Sequence, residues 1–143
     1  MREVPKYHGC FVCGDKNACG LQARFFFDGE KVLTEAVADE RFEGYCGIGH
    51  GGITAALLDE VMVKAVLAAD VCAVTAEMTV RYHRPVYTGD KLFCTGRVVK
   101  QRGRAWFAEG EIVDADGRPF ASATGKYIEA EEDFRRLLLR SLE

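Results

Sequence analysis

The chain contains no run of about twenty consecutive apolar residues, the length a membrane-spanning helix needs, so no membrane partner is expected. Positive charge is not in excess either. Lys and Arg number 19 against 22 Asp and Glu, and the net charge of −3 excludes the basic field that draws proteins to nucleic acid or anionic lipid. Residues 1–8 are polar and lack the apolar core of a secretory signal, which makes a cytoplasmic location the expectation. Repeats, low-complexity stretches and linkers are missing, so a single domain over residues 1–143 is expected. That length can bury a core without staples. The six cysteines are expected to stay reduced, with Cys46, Cys72 and Cys94 acting as small buried hydrophobes.

Residues 1–20 are rich in Cys, Gly and Asn and read as irregular. Beyond them, Leu21–Phe27 and Val32–Ala38 flank Asp28-Gly29, a hairpin signal. A Gly-rich loop, Glu43–Gly49, precedes one long helical stretch over 51–69. Four strand candidates follow at Cys72–Tyr82, Lys91–Lys100, Arg104–Val113 and Arg118–Ile128, joined by short links that favour antiparallel neighbours. Residues 131–142 read as a short charged helix. One helix cannot cover both faces of a parallel sheet. The economical solution is an α+β hotdog fold, a curved antiparallel sheet wrapped around one long central helix.

The central helix is apolar on nearly every side (Ile53, Ala55, Ala56, Leu57, Leu58, Val61, Met62, Val63, Val66, Leu67), as a core helix is. Its polar exceptions are therefore informative. Glu60 stands four residues before Lys64, the favourable order for a helical ion pair, and the two are expected to share a solvated edge. Asp59 has only Ala55, Ala56, Met62 and Val63 as same-face neighbours, and Asp is a poor residue inside a helix. A carboxylate in apolar surroundings has a raised pKa unless something satisfies it, and such groups in clefts cluster at functional sites. The competing reading is a second solvated edge, or a pairing with a strand arginine.

The start of the helix, Gly47-Ile48-Gly49-His50-Gly51-Gly52, weighs toward function. Two glycines opening a helix cost stability. They leave free N–H groups at its positive end, which is what an oxyanion site needs. Gly52 and Asp59 are two helical turns apart on nearly the same face, so they are expected to border one cleft.

The segment from His50-Gly51-Gly52 to Asp59 resembles the His-Gly-Gly-(x)6-Asp signature of PaaI-like hotdog thioesterases, whose acid stands nine residues after the His. The loop Phe42–Gly49, the opening Cys10-Phe11-Val12-Cys13-Gly14 with Asn17 and Gly20-Leu21, and the later Tyr82-His83-Arg84-Pro85 and Gly89-Asp90 are similar to one branch of that family. The resemblance implies hydrolysis of an acyl-CoA thioester, with Asp59 as general base or nucleophile. It implies the backbone N–H groups of Gly52 and Gly51 as oxyanion donors, His50 as a brace for the loop or a contact to the thioester, and Thr75, counted back from Pro85, as the hydroxyl that positions water. Where some relatives carry an Asn before the His, this chain has Gly44, and Asn17 is the substitute candidate. Arg81, Arg84, Lys100, Arg102 and Arg104 are candidates for the coenzyme A phosphates, although each alone reads as an ordinary solvated strand end. Tyr45 and several other aromatics are candidates for the acyl pocket. No cofactor is expected beyond the coenzyme A of the substrate. The resemblance also implies a homodimer, often doubled to a tetramer, joined edge to edge through the strand 73–84, a strand that would otherwise be a pairing hazard.

Two other functions are weighed. A hotdog dehydratase or hydratase would show an Asp-(x)4-His pair, but Asp39 is followed five residues later by Gly44. A non-catalytic acyl-CoA-binding module would gain nothing from an unpaired buried acid at Asp59. His8, Cys10, Cys13 and Cys19 offer four countable zinc ligands, but the spacing from Cys13 to Cys19 is not a second Cys-x-x-Cys. A turn packed near the acyl pocket, without metal, is the favoured reading.

Overall fold

A helix with almost no polar side has to be enclosed, and here one sheet does it. The computed structural model describes residues 1–142. Three strands precede the helix: β1 (Arg2–Glu3), β2 (Phe26–Phe27) and β3 (Val32–Val37). The helix α1 spans Gly51–Leu67, and four strands follow: β4 (Ala73–Tyr82), β5 (Lys91–Arg102), β6 (Ala105–Val113) and β7 (Pro119–Glu129). A short helix, α2 (Glu132–Leu139), comes last. The sheet order is β1-β2-β3-β5-β6-β7-β4 with every neighbour antiparallel. This is the hotdog arrangement expected from the sequence.

The helix is centred on Leu58, Val61, Met62 and Val66, each fully enclosed. Burying one such side chain contributes about 1.5–3 kcal/mol, so the helix supplies much of the core. A row of small residues crosses the sheet beneath it: Val32 pairs with Gly96, Gly96 with Gly110, Gly110 with Ala123, and Ala123 with Val80. A Cβ on Gly96 would lie 2.5 Å from the carbonyl oxygen of Val61, and one on Gly110 would lie 3.1 Å from the Met62 side chain. The missing side chains are what let the helix backbone approach the sheet.

The structure corrects several boundaries. The expected strand Leu21–Phe27 pairs only over Phe26–Phe27. Gln22 takes φ 52°, which no strand residue adopts, and the amides of Leu21 and Ala23 bond to Phe11 and Val12 instead. Within the stretch expected to be irregular, Arg2–Glu3 forms a strand that extends the sheet. The Asp28-Gly29 turn forms as expected, with Asp28 Oδ1 accepting the amides of Glu30 and Lys31. The helix ends at Leu67 rather than Ala69, and the last helix is shorter than expected and closes in a 3-10 turn over Arg140–Leu142. Cys72 and Cys94 are buried, whereas Cys46 lies exposed on the loop before α1 rather than in the core. Among the described residues no helix is long and apolar enough to cross a membrane.

Strand β4 hydrogen-bonds to β7 only, which leaves its other edge free along ten residues. Most of its side chains are exposed, Val74 and Tyr82 among them.

Gly96→Ala is expected to destabilise the fold by about 1–3 kcal/mol through overpacking against the Val61 carbonyl, read as a lower urea midpoint. Gly9→Ala, where nothing lies within 4 Å, should leave the midpoint nearly unmoved.

Candidate active site

Asp59 sits half-buried in the middle of α1. Its carboxylate has partners the sequence did not reveal: Oδ1 accepts a hydrogen bond from Thr75 Oγ1 at 2.8 Å and a second from the Tyr127 hydroxyl at 2.9 Å. The expectation of an unpartnered acid is corrected accordingly. Oδ2 receives no hydrogen bond from the described residues. A cleft of about 220 Å³ opens beside it, lined by Tyr7, Asp59, Val63, Leu67, Val74 and Thr75 among others.

Thr75 lies where counting back from Pro85 placed it, just before the Thr75/Glu77 bulge on the free-edge strand. Tyr127 was missed. It is fully buried on β7, and a Cβ at Gly125 would lie 2.6 Å from its ring. A tyrosine at an inward strand position with a glycine two residues earlier was a readable signal, because a buried hydroxyl requires a partner. Burial first, and then the Asp59 charge, push the Tyr127 hydroxyl far above its ordinary range. It therefore stays protonated and donates.

His50 caps α1. Its backbone is extended (φ −66°, ψ 130°) and its Nδ1 accepts the Gly52 amide at 2.8 Å. With Nδ1 accepting, the neutral imidazole carries its hydrogen on Nε2. The Gly52 N–H, expected to be free, is thus occupied, because an N-cap side chain satisfies just such an orphan amide. The amides of Ile53 and Thr54 bond to the His50 carbonyl. That leaves Gly51 as the first-turn amide with no acceptor among the described residues, while its carbonyl receives the Tyr82 hydroxyl at 2.7 Å. Tyr45 is 86% exposed on the preceding loop.

Gly52 was expected to border one cleft with Asp59, but it is not among the residues lining the cleft beside that carboxylate. Seven residues at 1.5 Å rise separate the two by about 10 Å, several times the reach of a hydrogen bond. Within one chain the first-turn amides of α1 and the Asp59 carboxylate are therefore too far apart to hydrogen-bond the same atom.

The cation candidates separate clearly. Arg84 is engaged within the fold: it pairs with Asp114 at 2.7 Å, donates to the carbonyls of Arg118 and Pro119, and stacks on the Phe120 ring at 3.8 Å. Met78 and Val80 pack toward the core, so the alternation of β4 turns Thr79 and Arg81 to the opposite face. There Arg81 lines a polar groove with Glu109, Glu111 and Ser122, away from Asp59. Arg104 is held by Glu129 and Glu131, and Lys100 lies over Phe107. Arg102, exposed at the end of β5, has no ion pair among the described residues. Asn17 holds its own loop, with its side chain bonding the Gly9 carbonyl and the Cys19 amide.

Glu60 and Lys64 do pair, at 3.6 Å, but not on a solvated edge: the Lys64 side chain is 1% exposed and that of Glu60 12%. The N-terminal segment covers them. Cys10 Sγ lies 3.8 Å from Glu60 Oε1, and Lys64 Nζ donates to the Pro5 carbonyl and sits over the Tyr7 ring. Burial, reinforced by Cys10, raises Glu60 to about 7. A hydrogen bond from the Cys13 thiol lowers Cys10 to about 5.

Residues 47–121 match the thioesterase superfamily family model. The chain belongs to this superfamily. Human acyl-coenzyme A thioesterase 13 is 30% identical over 68% of this thioesterase and 66% of its own length, so the match spans about two thirds of that relative. A solved thioesterase superfamily protein shares 27% identity, with a TM-score of 0.79 over 90% of this chain and 66% of the other. The PaaI protein of E. coli has the same fold at 23% identity (TM-score 0.74, 82% of this chain, 86% of that one). So does a hypothetical thioesterase from Streptococcus pneumoniae TIGR4 solved with coenzyme A, at 20% identity (TM-score 0.72, 77% and 87%). Two mutants of that streptococcal protein, one with an Asp and one with a Thr changed to Ala, were solved as well.

Arg84→Ala is expected to cost this thioesterase about 2 kcal/mol, the scale of a charge-assisted hydrogen bond, in a denaturation titration. If Arg84 is structural, turnover per folded molecule should not change.

Proposed function

We propose that this chain hydrolyses an acyl-coenzyme A thioester to the free acid and coenzyme A, with Asp59 as the reacting carboxylate. The observation that carries the reading is the double clamp on Asp59. Two hydroxyl donors, Thr75 and Tyr127, hold Oδ1 and fix the orientation of the carboxylate, leaving Oδ2 to take a proton from water or to attack directly. The thioester carbonyl becomes an oxyanion in the tetrahedral intermediate, and collapse expels the coenzyme A thiolate, which takes up a proton. Three features of the relatives support this reading: the acyl-coenzyme A activity in the human protein's name, the coenzyme A on the streptococcal one, and the Asp and Thr substituted there. Those two residues are sixteen positions apart, as Asp59 and Thr75 are here.

The oxyanion donor is the amide of Gly51, supplied by a second copy of the chain. Its distance from Asp59 within one chain supports that, and the free edge of β4, next to Thr75, offers the surface for joining two copies into a homodimer. His50, the residue before that amide, and the exposed Tyr45 of the preceding loop are the groups proposed to contact the substrate, and Arg102, without an ion pair among the described residues, is the cation proposed for its phosphates. All six cysteines are free, which fits a reducing, cytoplasmic compartment.

Thiol release from a panel of acyl-CoAs tests the reading. The native protein should hydrolyse at least one of them, and Asp59→Asn should lose roughly a hundredfold or more. Full activity in Asp59→Asn would overturn the assignment.

Gly51→Pro deletes one N–H at a helix position that tolerates proline, after a residue already extended. It should also inactivate. Mixed dimers of Asp59→Asn with Gly51→Pro should regain activity, because one of their two sites is then wholly native. No recovery in verified mixed dimers would place both groups in one chain's site.

A further inference from the structure

The N-terminal segment and α1 meet in a cluster that the hydrolytic chemistry does not use. Cys10, Cys13 and Glu60 bring two sulfur atoms and a carboxylate oxygen within 4.8 Å of one another. The turn that presents the sulfurs is built for negative charge. Cys10 Sγ accepts the amides of Val12 at 3.3 Å and Cys13 at 3.5 Å, and the Gly14 amide closes the turn onto the Cys10 carbonyl at 2.9 Å. Gly14 has no room for a side chain, since a Cβ would lie 2.4 Å from the His8 carbonyl oxygen.

We propose that Cys10, Cys13 and Glu60 bind one zinc-type divalent ion. Zinc–sulfur bonds of about 2.3 Å and zinc–oxygen bonds of about 2.0–2.2 Å at tetrahedral angles put ligand atoms roughly 3.5–3.8 Å apart. The 3.8 Å between Cys10 Sγ and Glu60 Oε1 already has that spacing. Two thiolates select a soft ion over magnesium or calcium.

The charges close as well. A dication with two thiolates and a carboxylate carries −1, and the buried Lys64 ammonium, 3.6 Å from Glu60, brings the cluster to zero. Lys64 is anchored separately by the Pro5 carbonyl and the Tyr7 ring, so it stays in place when Glu60 takes the metal. Cys10 also borders an open cleft with Tyr7, His8 and Ala73, through which water completes the fourth position. The ligand set differs from the one countable in the sequence. His8 is engaged by Asp15 at 2.8 Å, and Cys19 is exposed and outside the cluster. The ion would pin the N-terminal segment to α1 one residue from Asp59, a structural role apart from the hydrolytic reaction.

The test uses the full chain, kept reduced and stripped of metal, titrated with zinc against a chromophoric chelator and with cobalt followed by absorption. One equivalent should bind, with cobalt giving the near-ultraviolet bands of thiolate ligation and the visible bands of a tetrahedral site. Cys13→Ser should abolish those bands. Glu60→Gln should weaken zinc binding by at least about tenfold, and Cys19→Ser should bind as the native protein does. Absence of thiolate bands in the native protein would overturn the proposal without any variant. So would a native affinity in Glu60→Gln, or loss of the site in Cys19→Ser. None of these readouts depends on thioester turnover, so failure here and failure of the hydrolytic reading are distinguishable.

Discussion

The helix Gly51–Leu67 has almost no polar face, and enclosing it constrains the rest of the molecule. A sheet can wrap a helix only where its own side chains make room, and the row Gly96, Gly110, Ala123 does so where the helix backbone is closest. With the helix seated there, the sheet must curve. The two shortest strands fall at one edge and β4 at the other. The site, the free edge and the cover over the helix all take their positions from that packing.

Enclosure also governs the polar groups the helix does carry. Among the described residues no buried side-chain nitrogen or oxygen lacks a partner, as the cost of an unmet polar group demands. Asp59 and Glu60 are adjacent in sequence, yet about 100° of helical rotation sends them to different surroundings. Asp59 faces the sheet's end, where two hydroxyls hold one of its oxygens. Glu60 faces the N-terminal segment, where the Cys10 sulfur and a buried ammonium meet it. Both border one cleft, but Asp59 keeps an oxygen that receives no hydrogen bond from the described residues, whereas Glu60 is tied to the N-terminal segment. The segment before Gly20, which looks like an appendage in sequence, is the lid over Lys64.

The length of the helix sets the scale of the proposed site. Its first-turn amide and its mid-helix carboxylate are too far apart to share a substrate group, and a strand edge lies open beside the carboxylate. The proposed second copy would bring the two groups to one site. The enzymatic reading and the dimer are for this reason one hypothesis, since the chemistry that motivates the first cannot be assembled without the second.

Hydrophobic patterning and turn residues were enough to determine the hotdog architecture, the four long strands and the central helix, because periodicity and chain punctuation are local properties. The motif from His50 to Asp59 likewise marked the stretch on which the proposed site is built. Partnership was not legible. Tyr127 lies 68 positions from the carboxylate it holds and Cys10 lies 50 from Glu60, and no local pattern links such pairs. Arg84 and Arg81 looked alike as strand-end cations, but strand register put one against Asp114 and Phe120 and the other on the far face. Composition and periodicity settle which residues go inside. Which of them meet is decided only when the sheet closes over the helix, because burial then obliges every polar group to find a neighbour.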